Sequence, residues 1–207
     1  MAVAKPFGLA PVRTIDTNMF TEQGSLYNVL STDANGWYIG DAFLSTNNAD
    51  ANGIPAMKKA TVGTETLRGV MVGVINPAPN QVSLYGAALS LELTSIPATK
   101  TQAYYILGVD DPSVLFAIQD DGLTAGSLVA ANANKNFSLT IANGATGQSA
   151  SGTVMLSTSL ATTAGLNMKA FGLQQVLNQG ATNVFGVFAL WLCKINQHEF
   201  QGNTAGV

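Results

Sequence analysis

The chain has 207 residues, of which 47% are hydrophobic and only 10% are charged, and its formal net charge is −3. This length is enough for one large domain with a substantial core, and the composition excludes disorder, which needs low hydrophobicity with high net charge. The nine Lys and Arg residues are scattered along the chain. Without a basic stripe to neutralise several phosphates, nucleic acid is excluded as a partner.

Neither a secretory signal nor a membrane span is predicted. The first eleven residues carry two prolines and no apolar core run. The longest apolar run, residues 184–193, is about half of the length that a membrane-spanning helix needs. We therefore expect no membrane partner and synthesis in a cytoplasm.

Residues 1–13 are predicted to form an extended N-terminal arm with no partner in its own chain. Pro6 and Pro11 break any helical period there. Residues 14–200 are predicted to form a single β-sandwich domain. Residues 201–207, with Gly, Asn, Thr and Ala, are predicted to be a flexible tail.

Short strands follow one another through the rest of the chain, with no long amphipathic helix between them. Residues 45–53 are predicted to be a polar loop, and residues 84–93 fit either a strand pair or a short helix. About ten strands at this spacing predict an all-β, antiparallel sandwich or barrel. The predicted strands are residues 26–30, 37–45 with a break at Gly40–Asp41, 54–59, 67–75, 104–109, 114–119, 137–141, 153–157, 167–177 and 185–196.

Two pairs of carboxylates, Asp110–Asp111 and Asp120–Asp121, bracket the strand at residues 114–119. Calcium needs about six to eight oxygen ligands around one point. The two pairs lie about 20–25 Å apart along a strand, so they cannot share one ion. We expect these side chains to bond their own turn backbone, and no metal or cofactor to bind. A weak cation site at one pair is the alternative.

No constellation of residues predicts an enzyme. Cys193 stands among apolar residues and is predicted to be buried, while His198, the only histidine, is predicted to be exposed or interfacial. These two do not form a zinc signature, and no phosphate-binding or nucleophile motif is present. No catalytic residue is expected. The aromatic pairs Trp37–Tyr38 and Tyr104–Tyr105 could form a sugar-binding platform, which makes a lectin-like or adhesin module the alternative function.

Five stretches, in this order, resemble the head decoration, or cement, proteins of tailed bacteriophages. None is specific alone, but the first, fourth and last together carry the resemblance. The Asn- and Ala-rich loops around residues 130–152 are longer than that family suggests. The stretches are FGLAPVR (7–13), WYIGD (37–41), GVMVGV (69–74), YYILGVDDPSVLFAIQDDG (104–122) and WLCKINQHEF (191–200).

The resemblance implies a non-enzymatic protein with a jelly-roll-like fold on the outer surface of a virion, made in the host bacterial cytoplasm. It would bridge neighbouring major capsid subunits as a homodimer or homotrimer. Phe7 would fill an apolar pocket and Arg13 would meet a carboxylate of the capsid protein. His198 and Phe200, near the end of the chain, are the other candidate contacts. A structural protein of the virion tail is a further alternative.

Overall fold

The computed structural model describes residues 4–16, 18–21, 24–75, 93–123, 129–145, 148–174 and 183–201. These residues are almost entirely β, which confirms the all-β prediction. No helix in these ranges is long and apolar enough to cross a membrane. The strands are β1 (Ala10–Thr14), β2 (Ser25–Val29), β3 (Trp37–Tyr38), β4 (Ala42–Ala49), β5 (Pro55–Lys59), β6 (Gly69–Ile75), β7 (Ser95–Ile96), β8 (Tyr104–Val109), β9 (Val114–Gln119), β10 (Asn136–Phe137), β11 (Leu139–Thr140), β12 (Val154–Met155), β13 (Met168–Leu173) and β14 (Leu190–Ile195).

Two β layers dominate the architecture. The first is a closed barrel with the strand order β2-β5-β4-β6-β8, and the second is a five-stranded antiparallel sheet with the order β1-β9-β14-β13-β10. Pairing is antiparallel throughout the barrel except between β2 and β5, which run parallel. That pair departs from the antiparallel pattern expected from sequence. Two short pairs, β3–β7 and β11–β12, lie outside these layers.

The barrel strand β6 is apolar on both faces because each face meets a different core. In β6, Met71 and Val74 point into the barrel, where they pack with Trp37, Phe43 and Ile106. Side chains alternate between the two faces of a regular strand, and the bulge between Met71 and Gly73 allows Met71 and Val74 to share a face. Val70 of the same strand therefore faces outward, towards the sheet.

A second core lies between the barrel and the sheet. Val70 and Val109 of the barrel meet Phe116, Phe137 and Trp191 of the sheet in this core. All of β9 is buried, because β1 and β14 flank it and apolar side chains cover both of its faces. The barrel and the sheet therefore share buried surface.

The prediction that the N-terminal arm has no partner in its own chain is wrong. Ala10–Thr14 pairs with β9 as an edge strand, and Leu9 is buried in the core between the layers. The Lys5 amide also donates to Gln119 Oε1 at 2.8 Å. Pro11 fits this position because an edge strand can lack one backbone donor. Removing residues 1–13 would therefore uncover β9 instead of only shortening an arm.

Several boundaries differ from the sequence-based expectation. The strand β4 continues to Ala49 through the predicted polar loop, and β14 begins at Leu190 instead of residue 185. Residues 197–199 are fixed by backbone pairing, because Leu67 exchanges hydrogen bonds with Gln197 and Glu199 at 2.8 and 2.9 Å. Residues 202–207 of the predicted tail, and residues 84–92 of the ambiguous segment, lie outside the described residues.

Candidate functional site

Three of the four carboxylates around β9, those of Asp111, Asp120 and Asp121, bond their own turn backbone as predicted. For Asp110 the prediction is wrong, because its carboxylate accepts from Ser25 Oγ and from the Tyr27 hydroxyl. Asp111 Oδ1 accepts hydrogen bonds from the backbone and hydroxyl of Ser113, both at 2.7 Å. Asp120 accepts from Gly122 N and Ala189 N at 2.6 and 2.7 Å. Asp121 accepts from Ser157 Oγ at 2.6 Å. Within the described ranges, no group of three or more His, Cys, Asp or Glu side chains could hold a metal ion.

Asp120 makes a testable contribution to stability. We expect Asp120→Ala to lower the free energy of unfolding by about 2 kcal/mol near pH 4, because two buried N–H groups lose their acceptor. Urea denaturation followed by circular dichroism measures this loss. Asp111→Ala is the matched control, since the same kind of turn lies at an exposed position there. If Asp111→Ala lowered the free energy of unfolding as much as Asp120→Ala does, burial of Asp120 would not explain the loss.

The effect of Asp120 should also depend on pH. Burial raises the pKa of the Asp120 carboxyl above its ordinary value of 3.8, so the folded protein holds this proton more tightly than the unfolded chain does. The stabilisation that comes from this difference is fully present below the pKa of Asp120 in the unfolded chain. It is lost as pH rises through the pKa of Asp120 in the folded protein. The difference between the wild type and Asp120→Ala should therefore shrink as pH rises above about 4. A difference that grows with pH would contradict this direction.

Cys193 and His198 form no nucleophilic site. Cys193 is buried, as predicted, and its thiol donates to Phe116 O at 3.4 Å while burial raises its pKa. The prediction of an exposed or interfacial His198 is wrong, because this residue is only 2% exposed. His198 Nδ1 accepts from Phe200 N at 3.1 Å, and burial lowers the pKa of the imidazole. The His198 side chain is buried because the backbone next to it pairs with Leu67.

The remaining predicted contact residues lie in two places. Phe7 is half-buried, and the backbone that follows it packs against Gly40, whose oxygen accepts from Leu9 N at 2.9 Å. Arg13 lies in β1, opposite Leu115 and bridged to Met19. Phe200 is 57% exposed. Thus Phe200 is exposed and His198 is buried, whereas Phe7 and Arg13 are both half-buried.

The chain folds back after β1 and forms a hairpin. Thr14 N donates to Asn18 O at 2.9 Å, and Phe20 N donates to Val12 O at 3.2 Å. Beside this hairpin is an open cavity of about 420 Å³. Residues that line it include Thr14, Met19, Phe20, Ser25, Asp110 and Val114.

An arginine–aromatic stack adjoins the cavity through Asp110. The Arg68 guanidinium lies 3.7 Å from the centre of the Phe200 ring. Its nitrogens lie 3.6 Å from Asp110 and 3.4 Å from Glu199. Glu199 is itself held by Ser45 N and Ser45 Oγ at 2.8 and 2.5 Å. These carboxylates fix the guanidinium against the ring.

Asp110 connects the cavity beside the hairpin with the stack, since it lines the cavity and lies 3.6 Å from Arg68. We use the name hairpin face for residues 10–16 and 18–20, the cavity-lining residues, Arg68, Glu199 and Phe200. Met19 is 74% exposed and Ile15 is 45% exposed at the tip. The sequence pointed to Arg13 and Phe200 but missed Met19 and Arg68. The available signal was the apolar pair Met19–Phe20 between polar neighbours, which does not tell which side chain is exposed.

Trp37, one of the residues of the predicted aromatic platform, is not available to stack against a sugar. Trp37 is fully buried in the barrel and donates to Asp33 Oδ2 at 2.6 Å. Tyr38, Tyr104 and Tyr105 are each half-buried, and Tyr105 donates to Asp50 at 2.7 Å. A stacking site at Trp37–Tyr38 is therefore disfavoured.

Comparison of the chain with protein-family models, with curated proteins and with solved structures found no match in any of the three. Fold and surface together define an all-β protein that carries an exposed apolar and charged face.

Proposed function

We propose that this chain is a capsid cement, or decoration, protein. It binds the outer surface of a bacteriophage head and bridges neighbouring major capsid subunits. The hairpin face carries the proposal, because it presents Ile15 and Met19 of the hairpin and Phe200 of the stack to solvent. The five stretches that resemble phage decoration proteins give the independent support.

The composition of the hairpin face fits a protein contact. Exposed apolar side chains that cluster and have polar residues around them mark interaction sites. Methionine, aromatic residues and arginine are enriched at the centres of protein interfaces. The face has all three types in Met19, Phe200 and Arg68, with Asp110 and Glu199 at its edge.

Binding energy alone is enough for this function. A cement protein meets the same capsid surface many times, because the shell is symmetric. Bridging two subunits converts the second contact into an intramolecular one, which multiplies modest affinities without new contacts. A rigid β scaffold with one adhesive face fits this requirement. The low proportion of charged residues is compatible with self-association on the shell.

Sedimentation with undecorated phage heads tests the proposal. The purified protein should pellet with the heads at micromolar concentration and stay in the supernatant without them. Heads treated with the protein should also survive heating or chelation longer than untreated heads. If the wild-type protein remains in the supernatant with heads present, the cement function is wrong.

A pair of matched variants tests the hairpin face. We expect Met19→Asp to weaken head binding at least tenfold, since a charge at the centre of an apolar contact costs about 1.4 kcal/mol or more. Leu123→Asp is the control, because Leu123 is 73% exposed and lies beyond the other end of β9. Pelleting titrations measure both affinities. Normal binding by Met19→Asp with impaired binding by Leu123→Asp would place the contact at the opposite end.

A further inference from the structure

A buried lysine, an aspartate and an asparagine meet at one end of the barrel. Lys59 Nζ lies 2.6 Å from Asp41 Oδ2, and the two side chains are 4% and 0% exposed. The same Nζ lies 2.9 Å from Asn143 Oδ1 and 3.1 Å from Gly36 O. Lys59 belongs to β5, whereas Asn143 follows β11, 84 positions later in the chain.

We propose that Lys59 and Asn143 become joined by an intramolecular isopeptide bond, with Asp41 as the proton carrier. The bond would form between Lys59 Nζ and Asn143 Cγ, and the bond between Asn143 Cγ and Nδ2 would break. One ammonia leaves, so a primary amide and an amine become a secondary amide and ammonia. The reaction needs no oxidant, metal or further reactant. It is independent of any binding to a capsid.

The distances place the reacting atoms close together. Asn143 Cγ is bonded to Oδ1 at about 1.2 Å, so it lies within about 4 Å of Nζ. Catalytic geometries bring reacting atoms to about 3–3.5 Å, which a small rotation of the Asn143 side chain achieves. Nothing needs to move in the barrel, because Lys59 already points at the amide.

The backbone holds the three groups in place. Tyr38 N donates to Asp41 Oδ2 at 2.8 Å, which fixes the carboxylate. The segment that follows Asn143 is tied to the same turn, since Ile39 N donates to Ser149 O at 3.1 Å and Ser151 N donates to Ile39 O at 2.8 Å. The cluster is therefore preorganised for an intramolecular reaction.

The surroundings favour the protonated Asp41 carboxyl that the reaction needs. Burial raises the pKa of the Asp41 carboxyl, and Asp41 Oδ1 accepts no hydrogen bond in good geometry from the described residues, although the Ser151 hydroxyl lies near. A proton can pass from Nζ to Oδ2 along their 2.6 Å contact. This transfer leaves an uncharged amine, which is the nucleophile. The Tyr38 ring, 5.4 Å from Nζ, covers the site.

Asp41 carries protons through both stages. It gives its proton to the amide oxygen as the amine attacks Cγ, which neutralises the developing oxyanion. It then takes a proton from the attacking nitrogen and delivers it to the departing Nδ2. As the bond between Cγ and Nδ2 breaks, the proton on the amide oxygen returns to Asp41, which restores both the carbonyl and the carboxylic acid. Ammonia leaves past the exposed loop that contains Asn143.

Mass spectrometry of the denatured, purified full-length protein tests the proposal. The wild type should be lighter than its sequence by one ammonia. Trypsin should fail to cleave after Lys59 and should release peptide 59–68 joined to peptide 136–169. Lys59→Met and Asn143→Ala should each restore the full mass and separate peptides. Asn143→Ala alters an exposed loop residue, so it keeps the test valid if Lys59→Met fails to fold.

Two results would overturn the proposal. One is a wild-type protein with the full mass and two unlinked peptides. The other is ammonia loss that persists in Lys59→Met, because Asn143 precedes Gly144 and could close a cyclic imide on its own backbone. The linked peptide and the dependence on Lys59 separate the isopeptide from that imide.

Discussion

Trp191→Ala should lower the free energy of unfolding by about 4 kcal/mol, as expected when a large aromatic side chain leaves a cavity in a closely packed core. Trp191 is fully buried between the sheet and the barrel, in a strand flanked on both sides by other strands. Its neighbours belong to well-paired strands and cannot collapse into the space. Chemical denaturation followed by circular dichroism measures the loss.

Two further variants locate the source of this stability. Trp191→Phe should cost much less, because it keeps a ring and removes the indole N–H, which finds no acceptor among the described residues. Phe185→Ala removes the ring whose centre lies 5.7 Å from that of Trp191, at a position 43% exposed. We expect Phe185→Ala to lower the free energy of unfolding by about 1 kcal/mol. A loss as large as that of Trp191→Ala would place the stability in the outer ring pair instead of the core.

Gly8→Ala should destabilise the protein by about 3 kcal/mol. Gly8 has φ of +73°, which costs an L-residue about 1–2 kcal/mol. A Cβ there would also lie 2.4 Å from Gly40 O, a backbone atom that cannot move aside without disturbing the turn before β4. Overpacking of this kind adds about 1–3 kcal/mol. The melting temperature and urea midpoint should both fall.

Gly53→Ala is the matched control for this substitution. Gly53 has φ of +80°, but nothing lies within 4 Å of an added Cβ. It should therefore show the backbone cost alone, about 1 kcal/mol. The difference between the two variants measures the contact between the N-terminal segment and the barrel. Equal losses would mean that residues 7–9 do not pack on Gly40 in solution.

These experiments bear on the proposed function because they separate folding from adhesion. Trp191 and Gly8 hold the layers and the N-terminal segment together, and their variants should fail through loss of structure. Met19 is exposed, so Met19→Asp should leave the unfolding free energy nearly unchanged while head binding falls. A protein that keeps its stability and loses binding identifies a contact surface.

Local patterns in the sequence were enough to predict most strands. Alternating apolar residues predicted the two strands around Asp110–Asp111, and the Gly40–Asp41 break separates β3 from β4 as expected. Asp111, Asp120 and Asp121 also behaved as predicted, because an Asp side chain can bond the backbone two residues onward within its own turn. These features depend on neighbours in the chain.

Contacts between distant segments could not be predicted in this way. The pairing of β1 with β9 turned a supposed arm into an edge strand, and pairing with Leu67 buried His198. Exposure of Met19 and stacking of Arg68 on Phe200 likewise depend on how remote segments meet. A sequence pattern predicts which side chains share one face of a strand, but not which strand pairs with it.

The sequence by itself determined an all-β protein with acidic turns, a buried cysteine and few, scattered basic residues. It did so because periodicity, turn chemistry and net charge are properties of neighbouring residues or of the whole composition. Only the tertiary structure decided that β2 and β5 close a barrel, that Arg68 stacks on Phe200, and that Lys59 meets Asn143. Those arrangements depend on register and packing between segments far apart in the chain, which fix the distances on which binding and chemistry depend.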